Sequence, residues 1–207
     1  MAAFATDLNQ KDLNQHFGLE GYTSNALKLF MEHLNQQPQC RLLDVGPVCQ
    51  ENIRFFASRV WKHYVCDLFI RLDRYIRKGD SVYQIWKELD YHPESFDGIL
   101  VWELADRLDE QDVKRLVTLC HSMLKPGGMA VVMVMGDQIA SSETKSFVVG
   151  QNYRIYLRPQ PHLDLPLRGR QNRDVLSMMT PFIPAKSFIC RPGFMEFLFR
   201  REYPDRV

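Results

Sequence analysis

The sequence predicts an α/β fold of three layers: a mostly parallel sheet with helices on both faces, closed at one edge by a C-terminal antiparallel hairpin. Three observations carry this. Between residues 40 and 135, short apolar runs alternate with segments of helical periodicity, and such alternation builds parallel sheets through right-handed crossovers. The apolar runs are nearly unbroken, as strands buried on both faces must be. Finally, Lys186–Cys190 and Phe194–Arg200 flank Arg191-Pro192-Gly193, a turn between two strands.

Taken in order, residues 1–23 form a polar N-terminal extension in which Asp7 is placed to cap a short helix reaching His16. Thr23-Ser24-Asn25 is a capping cluster, and Ala26, Leu27, Phe30, Met31 and Leu34 share one helical face. Residues 40–46 are the first strand, with Asp44 near its end. Ile53, Phe55, Phe56 and Val60 belong to the next helix and its exit. Residues 61–67 read as a second strand ending in Asp67, and Leu68, Leu72, Tyr75 and Ile76 continue at helical spacing to a stop at Gly79. Val82–Leu89 fits strand or helix. Phe96–Trp102 is a strand, Asp109 caps a helix carrying Val113, Leu116, Val117 and Cys120, Lys125–Gly128 is a turn, and Met129–Met135 is another buried strand. Asn152–Arg158 alternates, Pro159–Gly169 is a proline-rich loop, and Asn172–Met179 is a short helix. The whole chain, 1–207, is expected to be one domain, with 141–181 a lid or insertion before the terminal hairpin.

Composition narrows the function. A net charge of +1 gives no global pull toward nucleic acid or membrane, and no basic stripe interleaved with aromatics suggests single-strand binding. Residues 141–207 hold 11 Lys/Arg against 6 Asp/Glu. Arg154, Arg158, Arg168, Arg170 and Arg173 are therefore candidates to recognise a carboxylate or phosphate from a lid, or else a solvated basic face. The five cysteines show no zinc or thioredoxin spacing. Cys49 precedes a helix, where a thiol can become reactive. The histidines form no ligand set, so no metal is expected. There is no basic-then-apolar leader and no apolar run of the roughly 18 residues that span a bilayer. The expectation is a cytoplasmic protein with no membrane contact.

Four stretches carry a family resemblance. They are Leu42-Leu43-Asp44-Val45-Gly46, Tyr64-Val65-Cys66-Asp67, Glu88–Tyr91 with Ser95–Leu100, and Leu119 with Ser122–Gly128. In order and spacing, they make residues 24–135 resemble a class I S-adenosylmethionine-dependent methyltransferase domain, with its three-layer Rossmann-like fold. The resemblance implies S-adenosylmethionine as cofactor and a small-molecule or protein acceptor. It places Asp44, Gly46, Pro47, Asp67, Leu68, Trp86 and Trp102 around the cofactor, with Asp67 holding the ribose and Asp44 orienting the loop and meeting the ammonium. Glu103, after the fourth family strand, falls near the substrate. No catalytic residue is assigned, since in-line methyl transfer needs no acid or base.

The chain departs from the family at the loop. Two further glycine positions hold Val48 and Gln50, Pro47 lacks an amide donor, and Trp102-Glu103-Leu104 replaces the Asn/Asp-Pro-Pro-aromatic motif of amino-methylating enzymes. The same sequence therefore also fits a catalytically inactive protein that keeps the fold and works through a protein partner, or as a homodimer. A nicotinamide-dependent dehydrogenase would want three loop glycines, and only one is present.

Overall fold

The computed structural model describes residues 21–79, 82–136, 143–190 and 193–203. The helix expected from Asp7 to His16 lies outside the described residues, as do Arg191 and Pro192 of the expected hairpin turn.

Strand β1 (Tyr22–Thr23) leads into helix α1 (Asn25–Leu34), whose Ser24 cap accepts from the Leu27 amide at 3.0 Å. The five predicted apolar positions of α1 are all buried. Then come β2 (Arg41–Val45), α2 (Gln50–Ala57), β3 (Lys62–Cys66) and α3 (Leu68–Lys78), which ends on Gly79 in the left-handed conformation. The ambiguous segment Val82–Leu89 is a 3₁₀ helix. β4 (Phe96–Trp102) is buried along its length, and a single turn, α4 (Leu104–Arg107), precedes α5 (Glu110–Met123). The Asp109 carboxylate caps α5, accepting from the Asp112 amide at 2.8 Å. β5 (Leu124–Met135), β6 (Lys145–Val149), β7 (Arg154–Pro159), α6 (Asn172–Met178), β8 (Ile183–Cys190) and β9 (Phe194–Arg200) complete the order.

The main sheet has the order β3-β2-β4-β5-β9-β8. β2, β3, β4 and β5 run parallel, and β9 lies antiparallel between β5 and β8. The expected hairpin closure is thus present, with β8 starting at Ile183 rather than Lys186. Lys125–Gly128, expected as a turn, instead forms an irregular start to β5. Phe96 faces Leu124, and the next recorded pair is Gly98 with Met129. Gly127 takes φ +80° and donates to the Arg201 carbonyl at 2.8 Å, so the chain beyond β9 holds this irregularity.

A second sheet, β1-β7-β6, is antiparallel throughout. Sequence reading found the alternation of β7 but not its partners. β1 is two residues long, and β6 follows a stretch with no strand periodicity of its own. One core lies between the main sheet and α3, the 3₁₀ helix, α5 and α6. The other lies between the main sheet, α1, α2 and the small sheet. Among the described residues, no helix is long and apolar enough to cross a membrane.

Central strand β4 meets α1 at Gly98. A Cβ there would lie 2.5 Å from Phe30 Cζ and 3.0 Å from Leu34 Cδ2. Gly98→Ala is therefore expected to overpack this contact and cost about 1–3 kcal/mol in urea unfolding. Unchanged stability would show that α1 does not sit this close.

Candidate functional site

The first group sits where β2 and β4 end side by side. Asp44 is 4% exposed, and a carboxylate so placed needs partners. It has two. Trp102 Nε1 donates to Oδ1 at 2.5 Å, and His63 Nε2 lies 3.2 Å from Oδ2. The Trp102 ring, itself buried, stacks on Phe147 with centroids 5.7 Å apart. Its other neighbour is Gly46, where a Cβ would collide with the indole. Gly46 is thus required for a close approach of Trp102. Of the residues expected around the cofactor, Asp44 and Trp102 are therefore bonded to each other, with both side chains buried.

The second group joins the loop to β3. Asp67 Oδ1 accepts from the Ile70 amide at 3.0 Å, which caps α3, and Oδ2 accepts from the Val48 amide at 2.9 Å. The carboxylate is only half buried. Each oxygen keeps a further acceptor position. Leu68, the first residue of α3, is fully buried and offers packing only. Val48 is 55% exposed, and no residue from 46 to 50 takes a positive φ. The loop has adopted a course that a β-branched residue tolerates.

The third group covers the start of α2. The Asn52 carboxamide donates to the Phe147 carbonyl and accepts from the Val149 amide, both at 2.7 Å. Arg158 of β7 pairs with Glu51 at 2.6 Å, and Cys49 Sγ donates to the same carboxylate at 3.1 Å. Burial pushes the Glu51 carboxyl up, but the Arg158 and Cys49 hydrogen bonds outweigh it and hold the group below its usual range. Cys49 is buried against Val148 and Tyr156. Burial raises its thiol to about 12, the opposite of an activated nucleophile. Sequence reading missed Asn52 and Arg158 as partners, because nothing in either segment announced the small sheet.

The fourth group holds Glu103. This residue, expected near the substrate, is fully buried at φ +46° and ion-paired with Arg107. Its neighbour Asp106 accepts from the Met135 amide at 2.6 Å, and its backbone carbonyl accepts from the Arg168 amide at 2.7 Å. Arg107 also donates to the Leu165 carbonyl at 3.1 Å, and Arg170 to the Leu108 carbonyl at 2.8 Å. These groups strap residues 165–170 across the ends of β4 and β5. The five candidate arginines are therefore dispersed. Arg158 and Arg170 make internal bonds, Arg154 lies over the Tyr156 ring, Arg168 is exposed, and Arg173 makes a surface contact with Asp174. Trp86 is also a core residue, donating to Asp112 at 3.3 Å beside α5. Among the described residues, no group of three or more His, Cys, Asp or Glu is placed to hold a metal.

These groups test the fit of S-adenosylmethionine. At a ribose diol, Asp67 fits, since it is accessible, oriented by two amides and has acceptor capacity left. At an α-amino acid, the chain offers less. Asp44 is buried with one bond on each oxygen, Pro47 has no N–H, and Glu51 in the first turn of α2 is paired with Arg158. Of the two ends of the cofactor, the nucleoside end has the clearer fit.

Burial raises the Glu103 carboxyl from 4.5 to about 7 despite Arg107 beside it. The folded state then binds more protons than the unfolded state across that interval, so this group makes stability fall as pH rises through it, by at most about 1.4 kcal/mol per pH unit. Glu103→Gln is expected to flatten that part of the profile in denaturant unfolding at several pH values. An unaltered slope would mean that Glu103 ionises lower.

No family model matches the sequence, and no curated protein sequence matches it. Solved structures do resemble its shape. The N-methyltransferase NodS from Bradyrhizobium japonicum WM9 is 15% identical, with 86% of this chain and 94% of that one covered at a TM-score of 0.54. The Burkholderia thailandensis 1,6-didemethyltoxoflavin-N1-methyltransferase, bound to S-adenosylhomocysteine, is 16% identical, with 86% and 77% covered at 0.53. The [4+2]-cyclase SpnF is 14% identical, with 93% and 92% covered at 0.57. Methyltransferases and a cyclase together show a shared shape rather than a shared reaction. The chain has the three-layer fold of the class I S-adenosylmethionine-dependent methyltransferases.

Proposed function

We propose that the protein is an S-adenosylmethionine-dependent methyltransferase acting on a small-molecule or protein acceptor. The observation that carries this reading is Asp67. It is a half-exposed carboxylate at the end of β3, tied by the Val48 amide to the loop after β2. In open parallel sheets, ligands bind at these strand ends. Asp67 would accept from the ribose hydroxyls, and its bonds to Val48 and Ile70 would hold its orientation. When bound, the cofactor supplies an electrophilic methyl group on a sulfonium. This chain's contribution is alignment of donor and acceptor, which requires no acid or base.

A second reading is a binding or scaffold protein that works through a protein partner or a second copy. Asp44, Trp102 and Glu103 favour it, because the ends of β2 and β4 are filled by internal bonds. Edge strand β8 supports it, with Ile189 at 86% exposure.

Calorimetric titration with S-adenosylmethionine and S-adenosylhomocysteine separates the two. The enzyme reading expects saturable binding below millimolar ligand, weakened at least about tenfold, or about 1.4 kcal/mol, by Asp67→Ala. No binding to folded protein supports the scaffold.

A further inference from the structure

The edge strand of the small sheet grips the loop and helix that follow β2. In the order β1-β7-β6, strand β6 pairs only with β7 on one side. On its free edge, the Phe147 carbonyl and the Val149 amide both bond the side chain of Asn52. One carboxamide thus stands in for a neighbouring strand, with one donor and one acceptor. At the second residue of α2, the Glu51–Arg158 pair adds a charge-assisted bond across the same junction. Phe147, Val149 and Ile155 share one core with Phe55 and Phe56 at the C-terminal end of α2, so the small sheet is anchored there and its edge meets the first turn of the helix.

The grip closes the place where an amino-acid group would need donors. A helix N-terminus favours anions through its free amides and dipole. Here the Glu51 carboxylate already sits in the first turn, neutralised by Arg158, and Cys49 is packed beneath Val148 and Tyr156. The Val48 amide is turned away to Asp67. Nothing comparable covers Asp67, which stays half exposed.

Resting on the cofactor reading above, we infer that the Asn52–β6 and Glu51–Arg158 contacts form a specificity grip. In the gripped state the site takes a nucleoside without an amino-acid arm, and the complete cofactor binds only when the first turn of α2 is released. The apparent affinity for the complete cofactor is then reduced by the fraction of molecules that are released.

The test uses two probes and two variants of the full chain. 5′-Methylthioadenosine has the nucleoside and sulfur but no amino-acid arm, whereas S-adenosylhomocysteine has the arm. The variants are Asn52→Ala and the charge-neutral pair Glu51→Gln with Arg158→Gln. Hydrogen exchange at the Val149 amide reports the grip, and calorimetry reports both ligands. Wild type is expected to bind methylthioadenosine more tightly than S-adenosylhomocysteine. Either variant is expected to speed exchange, tighten S-adenosylhomocysteine about tenfold and leave methylthioadenosine unchanged. Tighter binding of S-adenosylhomocysteine by wild type would overturn the grip and leave the cofactor reading standing, as would variants with unaltered exchange or unaltered affinity for it. Failure of every form to bind either nucleoside would overturn both.

Discussion

At the end of β2, a carboxylate is buried among rings. Removing Asp44 from water costs several kcal/mol unless its oxygens are bonded. The chain meets this cost by bringing the Trp102 indole from β4 and the His63 imidazole from β3 onto its two oxygens. Much of the surrounding geometry follows. With Trp102 fixed, only a residue without a Cβ fits at Gly46. With its ring laid against Gly46, the other face is available to Phe147, and the small sheet gains an anchor in the core. The anchored sheet then presents its edge to Asn52. An interaction between three parallel strands thus decides where the loop runs and what stands over it.

The loop itself shows how a glycine-poor sequence crosses from strand to helix. Val48 and Gln50 avoid positive φ, and the chain spends the Val48 amide on Asp67 rather than leaving it open. That bond leaves the Asp67 carboxylate oriented and half exposed. Beside it, Asp44, Glu51 and Asn52 are bonded to other side chains and backbone of the chain. The ends of β4 and β5 are likewise filled, by Glu103, Asp106 and Arg107 under the strap at 165–170. Such buried charge costs much to leave unpaired, and these bonds hold the ends of β4 and β5 together.

The main sheet was legible in the sequence because its signals are local. Apolar runs, the caps at Ser24 and Asp109, and the stop at Gly79 each act within a few residues, and all are present. Asp67 was legible as the acid that ends a strand, and it also caps α3 with acceptor capacity to spare. The small sheet was not legible, since β1 is two residues long and pairs with β7 across about 130 residues, and β6, though it pairs with β7 as a hairpin, carries no alternation of its own. For the same reason, the partners of Glu51 and Asn52 lie roughly a hundred residues away, at Arg158, Phe147 and Val149. Glu103 was placed near the substrate from its position after a family strand, and its pairing with Arg107 on the next turn was not read from the sequence. Its burial is a tertiary property.

The direct test of this account is a double-mutant cycle on Asp44→Asn and Trp102→Phe, read as unfolding free energy in urea. If the buried bond between them organises the strand ends, the two substitutions couple by about 1–3 kcal/mol, the range for residues sharing a buried hydrogen bond. Effects that simply add, within about 0.5 kcal/mol, would contradict it and leave Gly46, Phe147 and the small sheet to be explained without Trp102.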